Sequence, residues 1–206
     1  TARLWQRLMQ VAGTAGHETL RLHAAHERWL VEPGDEEAFG EACELLQAAG
    51  QLDELAGFLV KAAGVAPSIE KAVQYRSQAA RLYALELQSP SEAVAVLEED
   101  SRAGRLDVDT SRLLFQAALD GSQHKIAWDV GMQLASEMAS TPGMEAEARD
   151  IHAQLLAVAD HLDSDSVNQL KVLYFSSGEG SPAEIEAWLD ELVAAEKRDI
   201  VESALR

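Results

Sequence analysis

A spacing of 34 residues recurs through the first third of this 206-residue chain. Three pairs of landmark residues share it: Trp5 and Phe39, Gly16 and Gly50, and Pro33 and Pro67. A fixed period of roughly 20–50 residues is typical of chains built from stacked supersecondary units, none of which buries its apolar face alone. The spacing therefore predicts a repeat architecture.

The composition indicates what kind of unit repeats. Ala and Leu dominate the apolar residues, and aromatic residues make up only 5% of the chain. Ala and Leu are strong helix formers, whereas strands need β-branched or aromatic runs, and no alternating segment predicts a strand hairpin. We predict an all-α fold, and the family resemblance set out below implies a right-handed α-solenoid of antiparallel helical hairpins.

Ser-Pro and Thr-Pro pairs mark helix starts. The segments 89–92 and 181–184 are capping boxes in sequence, because a Ser is followed by Pro and, three residues after the Ser, by Glu. In such a box the Ser side chain accepts from a free amide, the Glu reaches back, and Pro has no amide to leave unpaired. Thr141 and Pro142 predict a third start in the same style.

Glycines and prolines between apolar periodic segments predict where helices end. We predict helices over about 2–13, 17–31, 35–49, 52–63, 68–88, 90–103, 109–120, 122–140, 143–160, 165–176 and 182–204. The connections are short, so neighbouring helices are expected to pack antiparallel. The last segment, around Lys197 to Asp199, has no breaker that decides between one helix and two.

The landmarks resemble the tetratricopeptide repeat family, whose helix–turn–helix unit is 34 residues long. Trp5, Leu8 and Met9 stand where that family's first helix carries Trp, Leu and Gly. Later units match at Phe39, Ala42, Cys43, Leu46, Gly50, Leu55, Leu59, Ala62, Pro67, Ala80, Ala84, Ala93, Leu97, Ser111, Leu114, Ala118 and Ala127.

The resemblance divides the chain into degenerate repeats near 2–35, 36–73, 74–107 and 108–140, with further irregular or capping hairpins over 141–206. The longer units resemble the divergent arrays of large bacterial scaffold proteins. Small residues at the matched positions let helices approach closely, and the large residues beside them fill the remaining space. Arg21, Arg28 and Arg81 depart from this pattern, because they occupy positions at which the family carries small residues.

The formal net charge of −18 bears on partners. Nucleic acids need Lys and Arg to displace their counterions, and anionic membrane surfaces attract basic segments, so both are disfavoured. No apolar stretch approaches the roughly 20 residues of a membrane span. A basic or neutral protein or peptide is the expected partner, and the oligomeric state stays open.

No constellation of side chains predicts catalysis. His23 and His26 are one helical turn apart, but no second cluster supplies further ligands, so we expect no metal ion and no cofactor. His124, His152 and His161 are interpreted as isolated, satisfied structural residues. Cys43 falls at a small interior position without an electropositive surround.

Two further segments are assigned structural roles. The stretch 178–181 lacks the Lys and the preceding strand of a phosphate-binding loop and is interpreted as a linker with a helix cap. The acidic run 98–100 is interpreted as a solvated helix face, or alternatively as part of a docking surface.

The family resemblance implies a scaffold that binds a partner on the concave face, which is lined by the first helix of each hairpin. That face would comprise Arg3, Gln6, Gln10, Glu37, Glu44, Gln47, Tyr75, Gln78, Leu82, Asp109, Arg112 and Gln116. We expect a protein-interaction module that is not an enzyme. A structural spacer or self-assembly segment, and a helical cofactor- or metal-binding protein, are the alternatives.

The cysteine content and the N-terminal residues bear on where the protein is located in the cell. Cys43 is the single cysteine, which excludes an intrachain disulfide, and the N-terminus has no signal-peptide pattern. The chain starts with Thr and enters an amphipathic helix at once, which predicts that it is a piece of a longer protein. A cytoplasmic location is the expectation.

Overall fold

The computed structural model describes residues 2–161, 164–176 and 180–194, and within these ranges it is all-helical. The α-helices are α1 (Ala2–Thr14), α2 (Glu18–Val31), α3 (Glu36–Ala48), α4 (Leu52–Gly64), α5 (Ile69–Arg81), α6 (Pro90–Arg102), α7 (Val108–Asp120), α8 (His124–Ala139), α9 (Glu145–Ala157), α10 (Ser164–Ser176) and α11 (Pro182–Ala194). A π-helical segment, Leu82–Glu86, continues α5, and a short 3-10 turn, Ala159–His161, follows α9.

The predicted all-α class of helical hairpins is confirmed over the described residues, which contain no strand. The predicted helix over 182–204 is present as α11, and its part beyond 194, including Lys197 to Asp199, lies outside the described residues. Residues 178 and 179 of the predicted 178–181 linker also lie outside them. The chain forms two compact units, residues 1–113 and 114–206, which meet in sequence within α7. The division into repeats up to residue 140 stays a prediction.

In the first unit each helix from α1 to α5 packs on the next one along the chain. Gly16 and Gly50 close equivalent turns, with φ angles of +71° and +69°. The amide of His17 donates to the Ala12 carbonyl over 2.9 Å, and the amide of Gln51 donates to the Leu46 carbonyl over 2.9 Å. This 6→1 bond is that of a Schellman cap, which favours glycine at its left-handed residue. The predicted equivalence of the two turns is confirmed.

The third hairpin starts earlier in the sequence than the unit boundary predicted near residue 74. Ser68 caps α5, accepting a hydrogen bond from the amide of Lys71, so the helix begins at Ile69. The π-helical segment then carries the helix on to Glu86. Residue 74 thus lies inside α5, and the predicted helix over 68–88 is present as α5 with its π-helical continuation.

Of the predicted helix starts, the one at Ser181 is confirmed. The Ser181 hydroxyl accepts from the Glu184 amide over 3.3 Å, and the Ser181 amide donates to Glu184 Oε2 over 2.7 Å. The hydrogen bond from the Ser181 amide, and then one between the Ser181 side chain and the carboxylate, keep the pKa of Glu184 below its ordinary value.

The capping box at Ser89 is wrong. Its amide donates over 2.8 Å to the carbonyl of Tyr83, the second residue of the π-helical segment, and its hydroxyl donates to the Leu87 carbonyl over 3.3 Å. Both groups therefore bond to residues before α6, and the Ser89 side chain makes no capping hydrogen bond to α6. Pro90 still occupies the first position of α6, as predicted. The start at Thr141 is also wrong, because its hydroxyl donates to the Glu137 carbonyl of α8 and α9 begins only at Glu145.

The core of the first unit contains a chain of aromatic contacts. Trp29 of α2 meets Phe58 of α4 edge-on, with ring centroids 4.8 Å apart. Phe39 of α3 stacks on Phe58 at 5.3 Å and contacts Tyr75 of α5 at 4.7 Å. The four rings thus connect four consecutive helices across three hairpins.

Four residues predicted to pack between the helices are buried. Leu59, Ala62, Ala93 and Leu97 are all buried, which confirms the packing expected for the second and third hairpins. Ala42 is also buried, whereas Cys43 is half-buried.

The acidic run 98–100 is not a solvated face, and this prediction is wrong at Asp100. The Asp100 side chain is fully buried and accepts from Arg76 Nε at 2.5 Å and from Arg76 Nη2 at 2.9 Å. Arg105 Nε lies 2.9 Å from the same carboxylate, although its N–H makes no hydrogen bond of good geometry there. The carboxylate tolerates burial because two guanidinium groups compensate its charge. Only Glu99 of the run is exposed.

In the second unit α8 packs on α9 and α9 on α10. Gly131 of α8 allows close approach, since a Cβ atom there would lie 2.7 Å from the Phe115 ring. Trp188 of α11 is buried and donates from Nε1 to Asn168 Oδ1 over 3.0 Å.

We expect Ala93→Asp to lower the free energy of unfolding by more than about 3 kcal/mol, because it places an unpaired charge in a fully buried site. Ala95→Asp on the exposed side of α6 is the matched control and should change it by less than about 0.5 kcal/mol. Urea denaturation followed by circular dichroism measures both. Equal effects would show that the packing face of α6 is wrongly assigned.

Ser122 adopts a left-handed conformation, with φ +54°, at the turn between α7 and α8. We expect Ser122→Gly to raise the free energy of unfolding of the second unit by about 1 kcal/mol, because glycine has no steric penalty there. Ser136→Gly, at an exposed right-handed position of α8, should lower it by about 0.5–1 kcal/mol. Urea denaturation tests the pair, and a loss of stability in both would contradict the strain at Ser122.

Candidate functional site

A cavity of about 390 Å³ lies among α1, α2 and α3. Gln6, Gln10 and Glu37, three of the residues predicted for the concave face, line this cavity. Arg21, Arg28 and Glu41 also line it, and these residues were not predicted for the site. The structure therefore brings amide, guanidinium and carboxylate groups together around one opening, which is a set suited to hydrogen bonding with a polypeptide.

Ion pairs between α2 and the start of α3 build the wall of this cavity. The buried Arg28 side chain lies 2.5 Å from Asp35 Oδ2, and its Nη2 donates to Glu37 Oε2 over 2.9 Å. Burial lowers the pKa of Arg28, but the hydrogen bond and charge of Glu37, together with Asp35, outweigh it and leave the pKa raised. Arg21 pairs with Glu41 one turn further along α3.

These arginines explain the departures from the repeat pattern. At these positions the family carries small residues, which allow two helices to pack closely. In this chain Arg21 and Arg28 of α2 instead form ion pairs with carboxylates of α3. The sequence contains a signal for these ion pairs. Glu37 and Glu41 are one helical turn apart on α3, and residues with this spacing lie on the same face of a helix, where both can meet one neighbouring helix. Arg81, the third departure, is exposed on α5.

Tyr75 and Leu82, two residues predicted for the concave face, are only half-buried. Tyr75 packs its ring on Phe39, and Lys71 Nζ lies 5.4 Å from the ring centroid of Tyr75. Burial raises the pKa of the Tyr75 phenol. Leu82 lies at the start of the π-helical segment and packs against the same core. Each side chain thus divides its surface between the core and solvent.

The remaining predicted residues are placed as follows. Arg3, Glu44, Gln47, Gln78 and Asp109 are exposed, and Arg112 is half-buried. Gln116 is exposed and donates to Asp120 over 2.9 Å. Asp109 and Arg112 belong to the first unit, and Gln116 belongs to the second. A common binding face for all twelve residues stays a prediction.

The histidines of α2 contact aromatic rings. The His23 ring meets the Trp5 ring edge-on, with their centroids 5.8 Å apart, and the centroids of the His26 and Phe58 rings are 5.5 Å apart. Among the residues that the structure describes, no group of three or more His, Cys, Asp or Glu side chains is arranged to hold a metal ion.

The interpretation of the other histidines as isolated and satisfied is wrong. His124 and His161 stack in parallel with their ring centroids 4.1 Å apart. Nδ1 of His124 and Nδ1 of the buried His152 have no hydrogen-bond partner among the described residues. Burial lowers the pKa of His152. These contacts join residues distant in sequence, which local spacing does not reveal.

Cys43 lacks the chemistry of a nucleophile. Burial, and then the neighbouring Glu44 carboxylate, raise the pKa of the thiol from 9.0 to about 11. At neutral pH the thiol therefore keeps its proton, whereas nucleophilic cysteines are thiolates.

None of the described helices is both long enough and apolar enough to cross a membrane.

No protein-family model matches the chain, and no curated protein matches it. The chain is similar to two solved structures of MamA. The MamA RS-1 ArsTM double mutant is 17% identical, at a TM-score of 0.45, with 82% of this chain and 94% of that chain covered. MamA 41-end from Desulfovibrio magneticus RS-1 is 16% identical, at a TM-score of 0.45, with 85% and 92% covered.

We expect iodoacetamide to alkylate Cys43 at pH 8 at least ten times more slowly in the folded chain than in urea, because the folded thiol has the higher pKa. The unfolded thiol ionises first as pH rises, so the free energy of unfolding should fall between about pH 9 and 11. Glu44→Gln should raise the folded rate modestly, and Glu36→Gln should leave it unchanged. Equal rates in folded and unfolded chains would contradict this assignment.

Proposed function

We propose that the chain is a protein-interaction scaffold whose first unit binds an extended or helical segment of another protein along α1, α3 and α5. The cavity lined by Gln6, Gln10 and Glu37 carries the proposal. It offers polar groups to a polypeptide backbone, and the ion pair between Arg28 and Glu37 holds its wall in place. The likeness of residues 2–140 to degenerate tetratricopeptide repeats supports the same role.

The partner in this proposal is basic or neutral. Glu37 and Glu44 are exposed on α3, and the chain as a whole carries a net charge of −18. Such charges speed the encounter with a basic partner and make it sensitive to salt, while contributing little each to affinity. Tyr75 supplies the apolar contact, since binding energy concentrates in a few packed aromatic side chains.

Within this proposal the chain has no catalytic role and needs no cofactor. The raised pKa of Cys43 is consistent with that role, because it leaves the thiol unreactive. A cytoplasmic location belongs to the proposal and is supported by the absence of a second cysteine for a disulfide.

The test selects peptides from a displayed random library on the immobilised chain and measures binding rates of the best peptide. Glu37→Lys combined with Glu44→Lys should slow association several-fold at low salt and flatten its salt dependence, because the steering charges are reversed. Tyr75→Ala should mainly raise the dissociation rate. Glu86→Lys combined with Glu92→Lys, at exposed positions that do not line this cavity, is the charge-matched control and should change neither rate.

Circular dichroism must first show that each variant remains folded, since Tyr75 also packs on Phe39. The proposal is wrong if the α3 and α5 variants bind like the wild type while changes on α2 or α4 abolish binding.

A further inference from the structure

A second cavity, of about 670 Å³, lies between α2 and α4, which are the second helices of the first two hairpins. The end of α3, with Leu45 and Leu46, also lines it. The volume falls in the range of roughly 300–1,000 Å³ that is usual for sites enclosing a ligand. None of the residues predicted for the concave face lines this cavity. It is therefore a separate feature from the site described above.

The inner part of this groove is apolar. Phe58 of α4 and Leu46 of α3 are buried in the core and present part of their surface to the groove, and Leu22 of α2 lines its other side. Gly57 leaves the groove open, since a Cβ atom added there would meet no atom within 4 Å. The groove thus accepts a large apolar side chain against the Phe58 ring.

The rim of the groove is acidic. Glu18 of α2 and Asp53 and Glu54 of α4 contribute carboxylates, against the single ammonium group of Lys61 among the lining residues. Gln51 donates to Glu54 Oε1 over 3.3 Å and compensates no charge. The rim therefore carries an excess of negative charge and complements a basic ligand.

We propose that the groove between α2 and α4 binds an amphipathic helix of a partner protein, with apolar anchors on Phe58 and Leu22 and Lys or Arg residues facing the acidic rim. An apolar trough between two helices is the geometry into which such a helix lays its apolar face. A second copy of this chain is the less suitable occupant, because its net charge of −18 would meet the same sign at the rim. The groove is independent of the α1, α3 and α5 surface, so either proposal stands without the other.

The test uses a fluorescein-labelled helical peptide of 14 residues as the probe, with Leu along one face and Lys elsewhere. A peptide of the same composition, scrambled so that no Leu face forms, controls for charge alone. Fluorescence anisotropy should show binding of the amphipathic probe and at least tenfold weaker binding of the scrambled one.

Gly57→Leu should weaken binding of the probe at least tenfold, because the new side chain fills the groove. Gly40→Leu is the matched control: Gly40 is also a helical glycine with open space at its Cβ position, but it lies on α3 and does not line the groove. It should bind the probe like the wild type. Both changes replace glycine by a better helix former, so the fold should be retained, and circular dichroism verifies this.

Asp53→Lys combined with Glu54→Lys should weaken probe binding and flatten its salt dependence. Glu86→Lys combined with Glu92→Lys makes the same change of charge at exposed positions that do not line the groove, and it should leave both unchanged. The proposal is overturned if the probe does not bind, if Gly57→Leu binds it as well as Gly40→Leu does, or if the scrambled peptide binds equally. It is also overturned if the wild type is a dimer by light scattering, Gly57→Leu is a monomer, and the probe does not compete with the dimer, because a second copy then occupies the groove.

Discussion

The aromatic contacts among Trp29, Phe39, Phe58 and Tyr75 hold the first unit together, because they connect α2, α3, α4 and α5 without a break. Aromatic pairs of this kind contribute roughly 0.5–1.5 kcal/mol each beyond the area that they bury. The same rings also position both candidate surfaces. Tyr75 is half-buried against Phe39 of α3, and Phe58 lines the inner part of the groove between α2 and α4. A change in the central stack would therefore disturb both surfaces together.

Charged groups fix the orientation of neighbouring helices where the repeat family uses small residues. Arg28 joins α2 to Asp35 and Glu37, and Arg76 of α5 holds the buried Asp100 of α6. Removing Arg28 would leave the largely buried Asp35 carboxylate uncompensated, which costs roughly 3–5 kcal/mol. Unlike apolar contacts, these pairs have a preferred geometry, so they set the relative positions of the polar groups on the surface.

Local signals in the sequence predicted most of the helices and the equivalent turns at Gly16 and Gly50, because caps and left-handed glycines depend on a few adjacent residues. Ser89 shows the limit of such signals. Its amide donates to a residue of the π-helical segment and its hydroxyl donates to the residue that follows this segment, and the sequence did not predict a π-helix there. Burial of Asp100 and stacking of His124 on His161 depend on residues more than twenty positions away, and spacing within one helix does not reveal them. At the candidate site, residue type and helix face predicted Gln6, Gln10 and Glu37. Arg21 and Arg28, which line the same cavity, were identified only as departures from the repeat pattern.

Packing of each helix on the next also bears on how the first unit folds. Its contacts join segments close together along the chain, so each loop that must close is short and the entropy lost in closing it is small. Chains with such local contacts have a low contact order and fold rapidly. Each hairpin also depends mainly on its immediate neighbours, as in a one-dimensional array. Local opening of one hairpin thus leaves most contacts of the other hairpins in place, so we expect protection against hydrogen exchange to be lost one hairpin at a time.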